Sequence, residues 1–463
     1  MKMKFSIGYN FDKKLLGLLN KYHDNLEGFY FPIPRRYLGS GRDIEEPKDY
    51  PNQIEGIIKR CNLLNITSQL LLNATYEGGA GINEAFFARI LRYIKRLKGI
   101  GLKSLVVTNP LYIARIREEI KDIRIESSVN CYVRTVEEAL YFKGLGVDVI
   151  TIDRDINRNI PLIGRIKKAT GLKIRLMLNE GCVSSCPYRV MHYNYLAQGK
   201  KGLYKNVLKG VFWDKFCFDI YRKDPLKIFR IPFIPPQSLK LYRGYADYYK
   251  LSTRALPTWR IKVCLDSYIK GRFRGNLLWL LDSPGISFFE YTDSQELEKN
   301  DYFKKISTCK LNCIHCGYCA KLFKKTVLRA RDYLGNPDLE EDKKAIRLYK
   351  KHLKYVCSIE DACASLVHIS EAYLNLKEYK KTIHYINDLL KLRGKFHQAY
   401  FMLGLAYLGL KDYNNAVRAL KREPRASPFY IKSRLALLRS YKEAGKKNLI
   451  SQEMGKIRSC VNS

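Results

Sequence analysis

The chain is 463 residues long and carries 83 Lys and Arg against 45 Asp and Glu, a formal charge of +38 at pH 7. A hydrophobic content of 46% with 12% aromatics excludes wholesale disorder, and no apolar run approaches the roughly 18–20 residues that a membrane helix requires. The positive excess favours a polyanionic partner such as RNA, while a lysine-rich composition alone gives the same sum. The opening MKMKFSIGYNFDKK has neither the apolar core nor the small-residue cleavage site of a secretory signal, so a cytoplasmic location with no membrane span is expected. In that reducing compartment thirteen cysteines point to metal rather than to disulfides.

From residue 4 to about 235 the sequence alternates short aliphatic or β-branched runs with amphipathic stretches, the pattern of βα units. The predicted strands are KFSIGYN, GFYFPI, TSQLLLNAT, SLVVTNP, IRIESSVN, VDVITID, KIRLMLNE and KIFRIPFI. Helical patterns such as AFFARILRYIKRLK (85–98) and TVEEALYFKGLG (135–146) lie between them, with apolar positions three and four apart. Eight such units predict an α/β fold, a (β/α)8 TIM-like barrel. In that fold the working residues stand where strands end, which singles out Asn10, Asn73, Asn109, Ser128, Asn130, Arg154, Asn179 and Glu180. Turn and cap chemistry explains any one of them; convergence on one rim is the informative outcome.

The seventh run leads into LNEGCVSSCPYRVMHYN (178–194). Cys182 and Cys186 fall there, Cys217 in FWDKFCFDI and Cys264 in WRIKVCLDSYIKG, four thiols that could ligate a cluster at the barrel mouth. Cys264, in an apolar helical setting, reads equally as a core thiol. Glu180 is a candidate for proton transfer, and His192 for a proton donor or a ring hydrogen-bonded behind the loop. Arg189, Lys250 and Arg254 are candidate clamps for a carboxylate or phosphate, or else a solvated basic face. Gly39 and Gly41 in LGSGR could bring backbone N–H groups to a phosphate, although a lone G-x-G is weak. Cys61, Cys131, Cys357, Cys363 and Cys460 are isolated or near the end and read as structural.

The segment ISTCKLNCIHCGYCAKL (306–322) packs Cys309, Cys313, Cys316 and Cys319 into eleven positions. Its first three cysteines spell the C-x3-C-x2-C of radical-SAM enzymes. In those enzymes the βα units follow the loop and one iron stays open; here helical repeats follow and a fourth thiol is present. The quartet resembles a fully ligated ferredoxin-like site, with a different order from the bacterial C-x2-C-x2-C-x3-C-P run. Thiolates this crowded suit an iron–sulfur cubane better than zinc, which takes two separated C-x2-C pairs.

Beyond the quartet a true internal repeat appears. Ala372, Tyr373, Leu374, Leu376, Lys377 and Tyr379 recur 34 residues later as Ala406, Tyr407, Leu408, Leu410, Lys411 and Tyr413, and Tyr441 continues the series. Residues 360 to 460 therefore resemble tetratricopeptide repeats, helix pairs that stack into an all-α solenoid able to dock an electron donor or another protein. The expected organisation is a barrel over 1–285, a Cys-rich cluster-binding linker over 286–338 and repeats over 339–463.

LGSGR, GC-x3-CPYRVMH, PFIPPQSLKLYRGYADYYKLSTR (232–254) and CLDSYIKGRFRGNLLWLLD (264–282) together resemble the collagenase-like "peptidase U thirty-two" family over roughly residues 1 to 285. The family name records an early protease assignment, and this chain has neither an HExxH helix nor a G-x-S-x-G elbow. Similar members include oxygen-independent hydroxylases of RNA bases or the ubiquinone ring, with a four-iron four-sulfur cluster on four cysteines and in some cases a dependence on prephenate. The resemblance implies Cys182, Cys186, Cys217 and, as the fourth candidate, Cys264 as cluster ligands. This chain departs from those members in cysteine spacing, in the quartet and in the repeats. Two four-iron clusters serving an enzyme, or structural clusters in an RNA- and protein-binding scaffold, are the competing expectations, with a peptidase as the third.

Overall fold

The computed structural model describes residues 3–38, 40–41, 45–78, 82–198, 220–221, 223–282, 290–309, 313–329, 339–354, 356, 359–394, 396, 398–424, 427 and 429–461. Eight parallel strands close into a barrel in sequence order: β1 (Phe5–Gly8), β2 (Leu26–Pro32), β3 (Thr67–Leu72), β4 (Ser104–Val107), β5 (Arg124–Ser127), β6 (Val149–Thr151), β7 (Lys173–Met177) and β8 (Tyr248–Lys250). Pairing of Phe5 with Tyr249 and of Ser6 with Lys250 closes the ring. Helices α1 (Lys14–Tyr22), α2 (Tyr50–Leu63), α3 (Glu84–Gly99), α4 (Pro110–Glu119), α5 (Val136–Gly144), α6 (Ile160–Thr170) and α7 (Arg189–Gln198) separate the strands, and α8 (Thr258–Lys270) follows the last. In α3 the apolar residues Phe87, Ile90, Ile94 and Leu97 recur at helical spacing and are buried. Asn83 caps its start by accepting from Phe86 N.

The first seven predicted strands form as expected, and the eighth does not. KIFRIPFI (227–234) is a short 3-10 helix over Pro225–Arg230 followed by chain outside the ladder, and the eighth strand is YYK at 248–250. The run was apolar because it is buried, Ile231, Phe233 and Ile234 almost completely. Pro225, Pro232, Pro235 and Pro236 remove the N–H groups that a strand flanked on both sides must supply. Side chains hold it instead: Asn157 Nδ2 donates to the Pro232 carbonyl at 2.9 Å and Arg158 to the Phe229 and Ile231 carbonyls.

The barrel interior carries a charged layer. Arg175 on β7 is wholly buried and pairs with Glu126 on β5 at 2.7 Å and Glu27 on β2 at 2.8 Å. Arg124 holds Glu27 from the other side at 2.5 Å, and Ser6 donates to it at 2.8 Å. Burial pushes the Glu27 carboxyl up, but the two guanidinium groups outweigh it and keep it down at about 2. At this crowded level β2 needs a glycine, because a Cβ on Gly28 would stand 2.5 Å from the Gln69 side chain and 2.8 Å from Ser6 Oγ.

The barrel, with residues Leu277–Phe288 and Ser294–Thr326, is one compact unit. It therefore includes α9 (Ser294–Lys299), α10 (Tyr302–Ser307), α11 (Cys313–Cys316) and α12 (Tyr318–Thr326); α11 carries Cys313 and Cys316, α12 carries Cys319, and Cys309 follows α10. The second unit comprises Arg274–Asn276, Phe289–Asp293 and Val327–Ser463. It contains an antiparallel pair, β9 (Glu290–Thr292) with β10 (Val327–Arg329), then α13 (Leu339–Leu353), α14 (Ile359–Asn375), α15 (Tyr379–Leu392), α16 (Ala399–Gly409), α17 (Tyr413–Lys421), α18 (Tyr430–Glu443) and α19 (Lys447–Val461). The 34-residue repeat is visible in the backbone. Lys377, Lys411 and Gly445 each turn the corner between paired helices at φ 57°, 61° and 70°. The residue after each donates to the carbonyl of Tyr373, Tyr407 or Tyr441 at 2.9 Å, closing the preceding helix in the same way three times. Ala372, Ala406 and Ser440, also 34 apart, are fully buried where the helices pack.

The charged layer generates a test. Arg175→Met leaves Glu126 buried without its partner, while Glu27 keeps Arg124, so denaturant unfolding should show a loss of about 3–5 kcal/mol. Adding Glu126→Gln should restore most of that loss, and adding Glu27→Gln should restore little.

Candidate functional site

Strand ends β5, β6 and β7 deliver the centre of the site. Arg154, in the 3-10 turn after β6, is 0% exposed. Its Nε donates to Glu180, its Nη2 donates to Asn130 Oδ1 at 3.3 Å, and its guanidinium lies 5.3 Å from the centre of the Tyr193 ring. Glu180 also accepts from the Tyr193 hydroxyl. Burial opposes the charge on Arg154, yet Glu180 and its other neighbours hold the group well above its ordinary range. Its Nη1 is buried with no hydrogen-bond partner. The Tyr132 hydroxyl is likewise buried and unpartnered, on a residue at φ 55°, a conformation bulky side chains seldom adopt. Two such donors cost free energy unless a ligand meets them.

The loop after β7 places the first thiols. Asn179 Nδ2 donates to the Ser252 and Leu280 carbonyls at 3.1 and 2.9 Å, and its Oδ1 accepts from Ser252 N at 2.6 Å. Gly181 N donates to Asp282 at 2.8 Å, which ties the loop to the LLWLLD segment. Cys182 then accepts from Arg189 Nε at 3.4 Å. Arg189 donates to both carboxylate oxygens of Asp155 and to the Val183 carbonyl, at 2.7 Å for the last. Burial pushes the Cys182 thiol up, and Arg189 and Arg154 pull it back. Cys186 is half-buried. Cys217 lies outside the described residues. Cys264 is buried on α8 with its thiol 3.6 Å from the Leu280 carbonyl, and burial takes it up to about 12.

The remaining predicted residues separate into two groups. Asn73 stands at the rim, where its Oδ1 accepts from Gly41 N at 3.3 Å. A Cβ on Gly41 would come within 2.9 Å of the Asn73 carbonyl and 3.2 Å of Asn130 Nδ2, so Gly41 sits against this rim because it carries no side chain. Gly39 lies outside the described residues. Lys250, at the end of β8, is buried with its ammonium 4.2 Å from the centre of the Tyr30 ring. Arg254 donates to Ser40 at 3.1 Å. His192, half-buried on α7, packs its ring 6.0 Å from that of Tyr193. Asn109 caps α4 by accepting from Leu111 N at 2.9 Å, and Asn10 donates to Leu256 O at 3.0 Å. Both serve local structure. Sequence reasoning missed Tyr132, Asp155 and Tyr193. Arg189 and Tyr193 are four apart on α7, a spacing that sets both on one face and could have paired them.

Cys309, Cys313, Cys316 and Cys319 line a single cavity of about 440 Å³ in the barrel unit. Cys61 and Cys131 are thiols raised to about 12 by burial, and Cys363 is buried among the helices of the second unit. Cys357 and the Cys460 side chain lie outside the described residues. No helix among the described residues is long and apolar enough to cross a membrane.

Residues 50–197 match the family model described as Peptidase family U32. An uncharacterized protease of Methanocaldococcus jannaschii is 29% identical over 300 residues, covering 63% of this chain and 86% of its own length. Among solved structures, a U32 peptidase is 18% identical with a TM-score of 0.40, covering 54% of this chain and 92% of that one. A putative phosphonomutase from Burkholderia cenocepacia is 11% identical with a TM-score of 0.26, covering 42% and 84%.

Lys250 supplies a pH-dependent test. Burial, the largest influence, brings its ammonium down to about 8 although Glu126 pulls the other way. Below pH 8 the folded protein carries a charge it solvates poorly; between 8 and the ordinary lysine value the unfolded chain binds the extra proton, so stability rises with pH. Lys250→Met should therefore stabilise the protein by up to about 3 kcal/mol at pH 7. In denaturant melts that advantage should shrink steadily above pH 8.

Proposed function

We propose that this chain, whose residues 50–197 match the model of peptidase family U32, is a member of that family and an iron–sulfur-dependent enzyme that modifies an acidic aromatic substrate, an RNA base or a quinone precursor, at the barrel mouth. The observation that carries the reading is the pair of unmatched donors, Arg154 Nη1 and Tyr132 Oη, both buried on the turns that follow β6 and β5. Acceptor oxygens of a substrate or of a small acid such as prephenate would satisfy both donors. A cluster here would supply one-electron redox chemistry that side chains alone lack.

Two of the thiols that would hold such a group stand on the one loop after β7. Cys182 and Cys186, with Cys217, would hold it, and the Arg189 N–H directed at Cys182 offsets thiolate charge. Glu180 is positioned to hold or move a proton at its carboxylate, because Arg154 and Tyr193 fix its orientation. Asn73, Asn130 and the Gly41 loop bound the rim. Lys250, with its lowered affinity for a proton, offers a second cation or a base deeper in the barrel.

Mass spectrometry of nucleosides and quinones tests the reading. A strain lacking the gene, grown without oxygen, should miss one oxygen-bearing modification that the wild-type chain restores and Cys186→Ala does not. Identical profiles, together with peptide hydrolysis by the purified chain, would favour the protease activity that the relative's name carries. If the substrate is RNA, affinity should fall roughly 1,000-fold or more between about 50 and 200 mM salt, as expected for several phosphate contacts. Flat salt dependence would favour the small aromatic acid.

A further inference from the structure

Among the described residues no three His, Cys, Asp or Glu side chains gather as a single metal ion requires. The quartet thiols instead surround space: the cavity of about 440 Å³ is lined by all four, with Arg158, Arg230, Lys305 and Tyr318. That is far more room than one water or one ion needs. One zinc ion, bonded at about 2.3 Å, draws four sulfurs tightly around a point, whereas a cubane of four irons and four sulfides holds them apart. Nε of Arg158 and Nε of Arg230 are buried with no partner, two N–H groups suited to sulfur acceptors. Arg158 is held rigidly, its other nitrogens donating to the Phe229 carbonyl at 2.9 Å and the Ile231 carbonyl at 2.6 Å.

The same loop serves the barrel mouth. Asp155 grips Arg189, which donates to Cys182 at 3.4 Å, and Arg158 lines the quartet cavity only three residues further on. Three residues span at most about 11 Å.

We propose that Cys309, Cys313, Cys316 and Cys319 ligate a four-iron four-sulfur cluster in this cavity, and that the turn from Asp155 to Arg158 makes it the neighbour of the mouth site. The proposal rests on the reading of the mouth as an iron–sulfur site, and the two fail separately. Full-length chain purified without oxygen should contain about eight irons and eight labile sulfides. Cys313→Ser with Cys316→Ser should remove half, and Cys182→Ser with Cys186→Ser the other half. After dithionite reduction the wild-type paramagnetic resonance should be broadened by coupling between two centres, and each double variant should give one sharp signal. Lys305→Met removes an exposed cation from the cavity wall, so it should lower the reduction potential of the quartet centre without loss of iron. Stoichiometric zinc lost with the quartet variant, iron unchanged in that variant, or a potential unmoved by Lys305→Met overturns the proposal. Iron unchanged in the Cys182 and Cys186 variant overturns only the reading of the mouth.

Discussion

A guanidinium group withdrawn from water needs acceptors, and the two that are wholly buried in this barrel, Arg175 and Arg154, take theirs mainly from carboxylates. Arg175 lies in the charged layer and is answered from two strands by Glu126 and Glu27. Arg154 lies at the strand ends and is answered by Glu180 alone among carboxylates bonded to it, with Asn130 taking a second donor. The first arrangement consumes its charge in structure. The second leaves one N–H without an acceptor in the protein, so the two buried cations differ in how fully their donors are used. Glu180, Tyr193, Asp155 and Arg189 follow from that constraint, since each fixes the position of a group that a buried cation needs or repels.

The barrel could be read from sequence because seven of its strands are short β-branched runs closed by polar residues and separated by helical periodicity. The eighth could not. KIFRIPFI has a strand's hydrophobicity without a strand's donors, and hydrophobicity reports burial rather than pairing. YYK at 248–250 is too short and too polar to declare itself, and it becomes a strand because β1 and β7 leave one gap in a closing ring. At the site, Arg154, Glu180 and Asn130 were accessible through the rule that strand ends carry chemistry. That rule treated Asn109 and Asn179 identically, although the first caps a helix and the second ties a loop. Tyr132, Asp155 and Tyr193 matter through convergence of separate loops, for which a linear pattern holds no signal.

The helical unit shows how a repeat survives weak sequence identity. What recurs every 34 residues is a corner: a left-handed residue, and behind it a hydrogen bond back to a tyrosine carbonyl. Lysine occupies that corner twice and glycine once, so the conformation is imposed by the packing of Ala372, Ala406 and Ser440 rather than by the corner residue. The third copy, faint in its side chains, is as regular as the others in its backbone.

The loop between β6 and α6 has a consequence for how this chain can change over evolutionary time. Surface connections ordinarily absorb insertions and deletions at little cost. Asp155 and Arg158, however, face two different cysteine sites across a single turn of chain. One residue gained or lost between them would rotate one partner away while the other stayed in place. Relatives that keep both sets of cysteines should hold this loop to one length, and relatives that have lost either set should be free to vary it.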